Sequence, residues 1–193
     1  MRLVRIEKDS AEWRVFRKPR IGGSDAKGIM PLKSKRNGSD DPAGLWDLIG
    51  GMLTKVSIDE EENPMTRGHR LESSGIEVVS QYLDLEFEED TGVWVSSENE
   101  HVMISPDAAQ PGKTPVYSLE LKHLGAGKHF KFLYKMKKGL KGIDLVPNEL
   151  GSFYREQCIQ YFVVNENLLT HYFVMRHPDV IYKEHELVVA VIE

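Results

Sequence analysis

Val116-Tyr117-Ser118-Leu119-Glu120-Leu121-Lys122 reads as a β-strand, and its alternation decides how the rest of the chain is arranged. Successive side chains of a strand point to opposite faces, so Glu120 and Lys122 share one face while Leu119 and Leu121 take the other. Two shorter β-branched runs precede it, at 92–97 and 101–105, with turn residues separating all three. The second run leaves through Ser105-Pro106-Asp107. Proline cannot donate to a ladder, so it marks the strand exit and leaves Asp107 at a strand end, where side chains converge on a ligand. Residues 168–175 and 187–192 read as closing strands.

Helical spacing surrounds these runs. A short helix is expected around Trp13 and Phe16, then the turn Gly22-Gly23-Ser24-Asp25, then a helical start over 26–30 with Ser24 or Asp25 as its cap. Residues 33–42 read as a polar loop, 43–53 as a helix, and the acidic run 59–62 as a solvated linker. From 65 to 83 the positions Leu71, Gly75, Val78, Val79, Tyr82 and Leu83 fall at helical spacing with one face buried. Residues 125–138 place Phe130, Leu133 and Tyr134 at the same period, and Pro147-Asn148 opens a last helix through Val164. The order predicts an α/β or α+β fold: one domain over 1–193, with a central mixed sheet flanked by helices.

A chain of 193 residues, 40% of them apolar, suits one well-buried domain. The net charge of -5 argues against a passive nucleic-acid coat, because phosphate binding shows as basic excess. An enzyme that clusters acids at one centre and cations along one groove is compatible with that balance. The lone Cys158 excludes an intramolecular disulfide and a multi-cysteine zinc site. The N-terminus lacks an apolar signal core, and no apolar run approaches the ~20 residues that span a bilayer, so the expectation is a soluble, intracellular protein without membrane contact.

Two carboxylates and an ammonium converging at strand ends suit phosphodiester hydrolysis. Asp107 and Glu120 are candidate ligands for Mg²⁺, a hard cation that takes carboxylate oxygens and keeps several waters. Such an ion polarises the scissile phosphate and acidifies a bound water. Lys122 is placed to orient that water or to stabilise developing charge. A Glu-x-Lys on a strand, taken alone, is more often a solvated ion pair on an edge strand. What shifts the balance is its order with Arg67-Gly68-His69-Arg70-Leu71-Glu72, Ser105-Pro106-Asp107 and Tyr154-Arg155-Glu156-Gln157.

Those motifs, with Trp13-x-x-x-Arg17 and Ile21-Gly22-Gly23-Ser24-Asp25, resemble the phage-recombination exonucleases of the lambda-exonuclease and YqaJ type, within the PD-(D/E)xK nucleases. The likeness runs from Trp13 to about Val164. It implies a restriction-endonuclease-like core, with Asp107, Glu120 and Glu72 as metal ligands and Lys122 as the catalytic lysine. Arg17, Ser24, Gln157 and Tyr154 would hold the 5′-phosphate or the scissile strand. It further implies Mg²⁺, with Mn²⁺ as a substitute, a 5′→3′ attack on double-stranded DNA ends, and a ring-shaped homotrimer. The 3′ tails would pass to a single-strand annealing protein in the cytoplasm of a phage-bearing bacterial host. This chain departs from the pattern in carrying Ala108 where glycine usually follows Ser-Pro-Asp. Its late motif is Gln157-Cys158-Ile159-Gln160-Tyr161, nearer the Gln-x-x-x-Tyr helix of the RecB-like branch, and Tyr154, Gln157 and Tyr161 fall on one helical face.

Two rival readings remain. One is a structure-specific or restriction-type endonuclease on the same fold, against which the phosphate-pocket motif argues, since such a pocket blocks a continuous strand. The other is a catalytically inactive DNA-end-binding module, against which the intact acidic set argues. The lysines from Lys128 to Lys141, interleaved with Phe130, Phe132 and Tyr134, read either as a surface tracking a nucleic-acid backbone or as a solvated helix face. Lys33, Lys35 and Arg36 sit in a loop of ordinary composition. His123 should face away from Lys122, His69 suits a groove-lining role, and Cys158 a small core position.

Overall fold

In a computed structural model, residues 10–17, 44–55, 64–89, 91–148 and 153–193 are described. The elements run α1 (Ala11–Arg17), α2 (Leu45–Leu53), α3 (Pro64–Leu83), β1 (Glu88–Glu89), β2 (Trp94–Val95), β3 (Met103–Ile104), β4 (Ala108–Ala109), β5 (Tyr117–His123), α4 (Ala126–Lys137), α5 (Tyr154–Val164), β6 (Thr170–Arg176) and β7 (Leu187–Ile192). Five strands form one sheet in the order β1-β4-β5-β6-β7, while β2 and β3 make a separate two-stranded ribbon. β5 and β6 are parallel and the other pairs of the large sheet antiparallel, so the expected mixed sheet is present.

β5 lies between β4 and β6 rather than at an edge. Its alternation sorts the core into two layers. Leu119 and Leu121 pack with Val174 against Ile76 and Val79 of α3. On the opposite face, Phe173, Met175, Val188 and Ala190 are covered by Phe130, Phe132 and Leu133 of α4 and by Cys158 of α5. β6 register places Phe173 beside Glu120 and Met175 beside Lys122, so the acid and the lysine belong to this second layer. α3 buries Gly75, Ile76 and Val79; Tyr82, expected on that face, is 64% exposed.

β1 and β4 are two-residue strands of Glu-Glu and Ala-Ala, residue types with so little strand preference that no local signal announces them. Ala108 pairs with Leu119 and is fully buried in regular strand geometry, so this position does not require glycine. The last helix also differs from the expectation: Pro147 and Asn148 are not helical, and α5 begins at Tyr154 after Phe153 at φ 44°. A left-handed residue cannot continue a right-handed helix into α5 from the N-terminal side. The turn Ile21-Gly22-Gly23-Ser24-Asp25, the 33–42 loop and the 59–62 linker lie outside the described residues.

α2 crosses α4 where backbone meets backbone. A Cβ added at Gly50 would lie 2.6 Å from the carbonyl carbon of Ala126 and from the nitrogen of Gly127. Backbone on both sides leaves nothing to rotate away. Gly50→Ala is therefore expected to destabilise the fold by about 2 kcal/mol, overpacking outweighing the ~1 kcal/mol that alanine gains in helix propensity. Urea unfolding checks this, and an unchanged midpoint would contradict the close crossing.

Candidate active site

β4 runs antiparallel to β5 with Ala108 opposite Leu119. One step further, the same register sets Asp107 opposite Glu120, which is how two short motifs meet. Pro106, without an N–H, ends the ladder there. Asp107 instead turns its carboxylate onto the neighbouring strand, and its Oδ2 accepts the Leu121 N–H at 2.7 Å. Half-buried, Asp107 is pushed up to about 6, first by burial and then by the charge of Glu120. The Lys122 ammonium and the Leu121 N–H pull the other way without cancelling that rise.

Glu120 is 2% exposed, and both of its oxygens are held. Gln157 Nε2 donates to Oε1 at 2.8 Å, and the Tyr161 hydroxyl donates to Oε2 at 2.5 Å. A hydroxyl–carboxylate bond this short is charge-assisted. The Lys122 ammonium also lies against Oε1. Burial alone would lower the Lys122 pKa, but Glu120 and Asp107 outweigh it and raise it above the usual lysine value. Lys122 is thus held as a cation with a partly open side chain.

Tyr161 joins the site although the sequence motifs assign it no role there; its place in Gln157-x-x-x-Tyr161 is the signal that points to it. Burial, with Glu120 beside it, pushes its phenol up, so it stays a donor. Its ring stacks on His171 at 4.0 Å, and His171 Nδ1 lies 2.9 Å from Ser118 Oγ. Burial lowers His171 to about 3, so the ring is neutral. Nothing in the 168–175 run singles out His171. Gln160 faces elsewhere and donates to the Met103 carbonyl at 2.7 Å, tying α5 to β3.

Glu72 lies on α3, half-buried, and its charge raises Asp107 as the weakest of the causes acting there. The helix turn carrying it is anchored from β6. Arg176 Nη1 donates to Ser74 Oγ at 3.1 Å and to the Leu71 carbonyl at 3.4 Å, while its Nε donates to Glu186 at 2.8 Å. Gly75 permits the approach, since a Cβ there would collide with Leu121 and lie 3.3 Å from Arg176 Nη1. Among the described residues, no three His, Cys, Asp or Glu side chains gather as a metal cluster. Tyr154 packs on Phe173 at 5.4 Å and acts electrostatically on Lys122. Ser24 lies outside the described residues, as do the side chains of Arg17, Arg67 and His69. His123 sits on the α3 side, beside Gly75, and Cys158 is buried, its thiol pushed up to about 12 chiefly by burial.

The family model of the YqaJ-like viral recombinase domain matches residues 12–168, a span that holds Asp107, Glu120, Lys122, Gln157 and Tyr161. The chain belongs to this family. The YqaJ-like domain is similar in structure to an alkaline exonuclease, LHK-Exo, from Laribacter hongkongensis, with a TM-score of 0.53 and 19% identity over 95% of this chain and 82% of that one. LHK-Exo in complex with dAMP gives a TM-score of 0.50 and 16% identity over the same shares. The fold is that of these exonucleases. No curated protein sequence matches the chain. Among the described residues, no helix of the YqaJ-like domain is long and apolar enough to cross a membrane.

Proposed function

We propose that this YqaJ-like domain is a divalent-metal-dependent 5′→3′ exonuclease that resects double-stranded DNA ends to 3′ single-stranded tails. The observation that carries the proposal is the carboxylate pair of half-buried Asp107 and buried Glu120 with Lys122 beside it, in a member of a viral recombinase family. The donor set fits a hard cation: Asp107, raised to about 6 by burial and then by the charge of Glu120, would be relieved by a positive ion held by the two acids. Asp107 and Glu120 would hold Mg²⁺, or Mn²⁺ in its place, with Glu72 as a further carboxylate from α3. The bound ion supplies Lewis-acid polarisation of the phosphate and a more acidic water.

The chain's own groups do the rest. Tyr161 and Gln157 fix Glu120 so that its carboxylate does not swing, and the Leu121 N–H does the same for Asp107. Lys122 keeps its proton and offers an ammonium to the charge that develops on the phosphoryl oxygens. Arg17, Ser24, Tyr154 and Gln157, the last of which also donates to Glu120, are proposed to seat the terminal 5′-phosphate or the scissile strand, where a guanidinium gives a forked grip. The same reading includes a homo-oligomeric ring around the duplex and delivery of the tail to a single-strand annealing protein in a bacterial cytoplasm.

End-labelled linear duplexes, with and without a 5′-phosphate, test this directly. Digestion should proceed from phosphorylated 5′ ends in Mg²⁺, stop in EDTA, and leave a covalently closed circle intact. Cutting of the circle would replace the exonuclease with an endonuclease on this fold. Bound but undigested linear DNA would leave only an end-binding module.

A further inference from the structure

We propose that the outward stripe of α4, formed by Lys128, Lys131, Lys135 and Lys138, docks the phosphodiester backbone of nucleic acid beside the acidic centre. This deepens the nuclease reading and rests on it for the identity of the ligand. Between Glu120 and Asp144 the chain has seven lysines and no acidic residue, in a protein whose net charge is -5. So local a reversal of sign is what a surface meeting phosphate requires.

The helix orders those charges. α4 turns His129, Phe130, Phe132 and Leu133 inward, onto the core layer that contains Phe173 and Met175. At 3.6 residues per turn the four lysines then fall within roughly 80° of arc on the outer side. Lys137 lies off the stripe, its Nζ 3.0 Å from His185 Nε2. Two of the ammonium groups are steadied by rings. Lys135 Nζ sits 4.6 Å from the centre of Phe132, and Lys138 Nζ 5.4 Å from that of Tyr134, itself half-exposed and braced by Trp46. From Lys128 to Lys138 the stripe is about 15 Å long, the axial rise of about four nucleotides of one strand.

Placement makes the stripe useful. Phe173 and Met175 are the register partners of Glu120 and Lys122, so α4 covers the same side of the sheet that carries the catalytic pair. α4 also begins three residues after β5 ends, so the stripe starts, at Lys128, only six residues along the chain from Lys122. An anionic membrane is the lesser fit. A helix that lies in a bilayer buries its apolar face in lipid, and here that face is committed to the core.

The test is the triple variant Lys128→Gln, Lys131→Gln, Lys138→Gln, with Lys138→Gln alone read if the triple variant melts early. Binding of labelled linear duplex and of labelled single strand is followed by anisotropy in EDTA across 50–200 mM salt. Duplex affinity should weaken about ten-fold or more, and the slope of log Kd against log salt should fall by about two to three, close to one for each phosphate that is no longer neutralised. In Mg²⁺ the variant should show a raised KM with kcat on saturating DNA preserved. If single-strand affinity alone falls, the stripe still docks a phosphate backbone but serves the product strand. Unchanged affinity and slope for both nucleic acids would overturn the proposal. So would DNA binding that is unaffected while phosphatidylserine vesicles sediment the wild type and not the variant. Wild-type protein that binds through the stripe but never digests DNA would instead defeat the nuclease reading and leave the stripe standing.

Discussion

Lys122→Ala is expected to cut duplex hydrolysis by about a thousand-fold or more, while end binding in EDTA stays within a few-fold of wild type. Lys122 is the cation placed against Glu120, and the combined pull of Glu120 and Asp107 keeps it protonated throughout the working pH range. Removing a preorganised positive group from a developing oxyanion costs about 10²–10³ in rate where single donors have been deleted, and a full charge is worth more than a neutral donor. The carboxylate it leaves behind is still held by Gln157 and Tyr161, so the site should keep its shape. Stability should fall by only about 1–2 kcal/mol, below the 3–5 kcal/mol of a fully buried pair, because Lys122 is 27% exposed. Lys122→Arg should not rescue the rate, since a planar fork cannot occupy the position of a compact ammonium. Initial rates on end-labelled duplex, with thermal melting as the folding control, decide the matter. A loss smaller than ten-fold would remove Lys122 from the chemistry.

What is legible in the sequence is whatever repeats locally. The alternation of residues 116–122 locates β5, sorts Glu120 from Leu119, and is matched by two differently packed layers. Helical periodicity locates α3 and α4 for the same reason: one face has to be buried. β1 and β4 carry no such pattern. β4 exists because β5 would otherwise leave an unpaired edge, and β1 pairs in turn with β4, so tertiary pairing places both. The bonds that hold Glu120 come from Gln157 and Tyr161, far along the chain, and only motif spacing hints at them. His171 beneath Tyr161 gives no local signal at all; it is placed by the parallel register that sets it beside Ser118. The start of α5 falls later than the sequence suggests because Pro147-Asn148 is a good opening signal, whereas the left-handed Phe153 that precedes the helix is a tertiary choice.

Asp107→Asn should abolish hydrolysis and yet make the metal-free protein more stable at pH 8. Burial and the neighbouring charge of Glu120 raise Asp107 to about 6 from an ordinary value of 3.8. A raised carboxyl binds its proton more tightly in the folded chain than in the unfolded one. Below about pH 4 both states are protonated and Asp107 carries no penalty. Between about pH 4 and pH 6 the unfolded chain releases the proton first, so folding stability is lost as the pH rises, and above pH 6 the loss is complete. Two pKa units correspond to at most about 3 kcal/mol. Asparagine removes the charge and keeps an oxygen for the Leu121 N–H, so the variant escapes the loss. For a chain of this length the gain should appear as a melting temperature several degrees higher in EDTA at pH 8, shrinking to nothing near pH 4. Millimolar Mg²⁺ should then stabilise the wild type and leave the asparagine variant nearly unmoved, because a cation held by Asp107 and Glu120 offsets the same buried, crowded charge that the substitution removes. A variant less stable than wild type at pH 8, or a stability gap that does not change with pH, would mean that neither burial nor the charge of Glu120 strains the Asp107 carboxylate. The centre would then have no electrostatic reason to draw a metal.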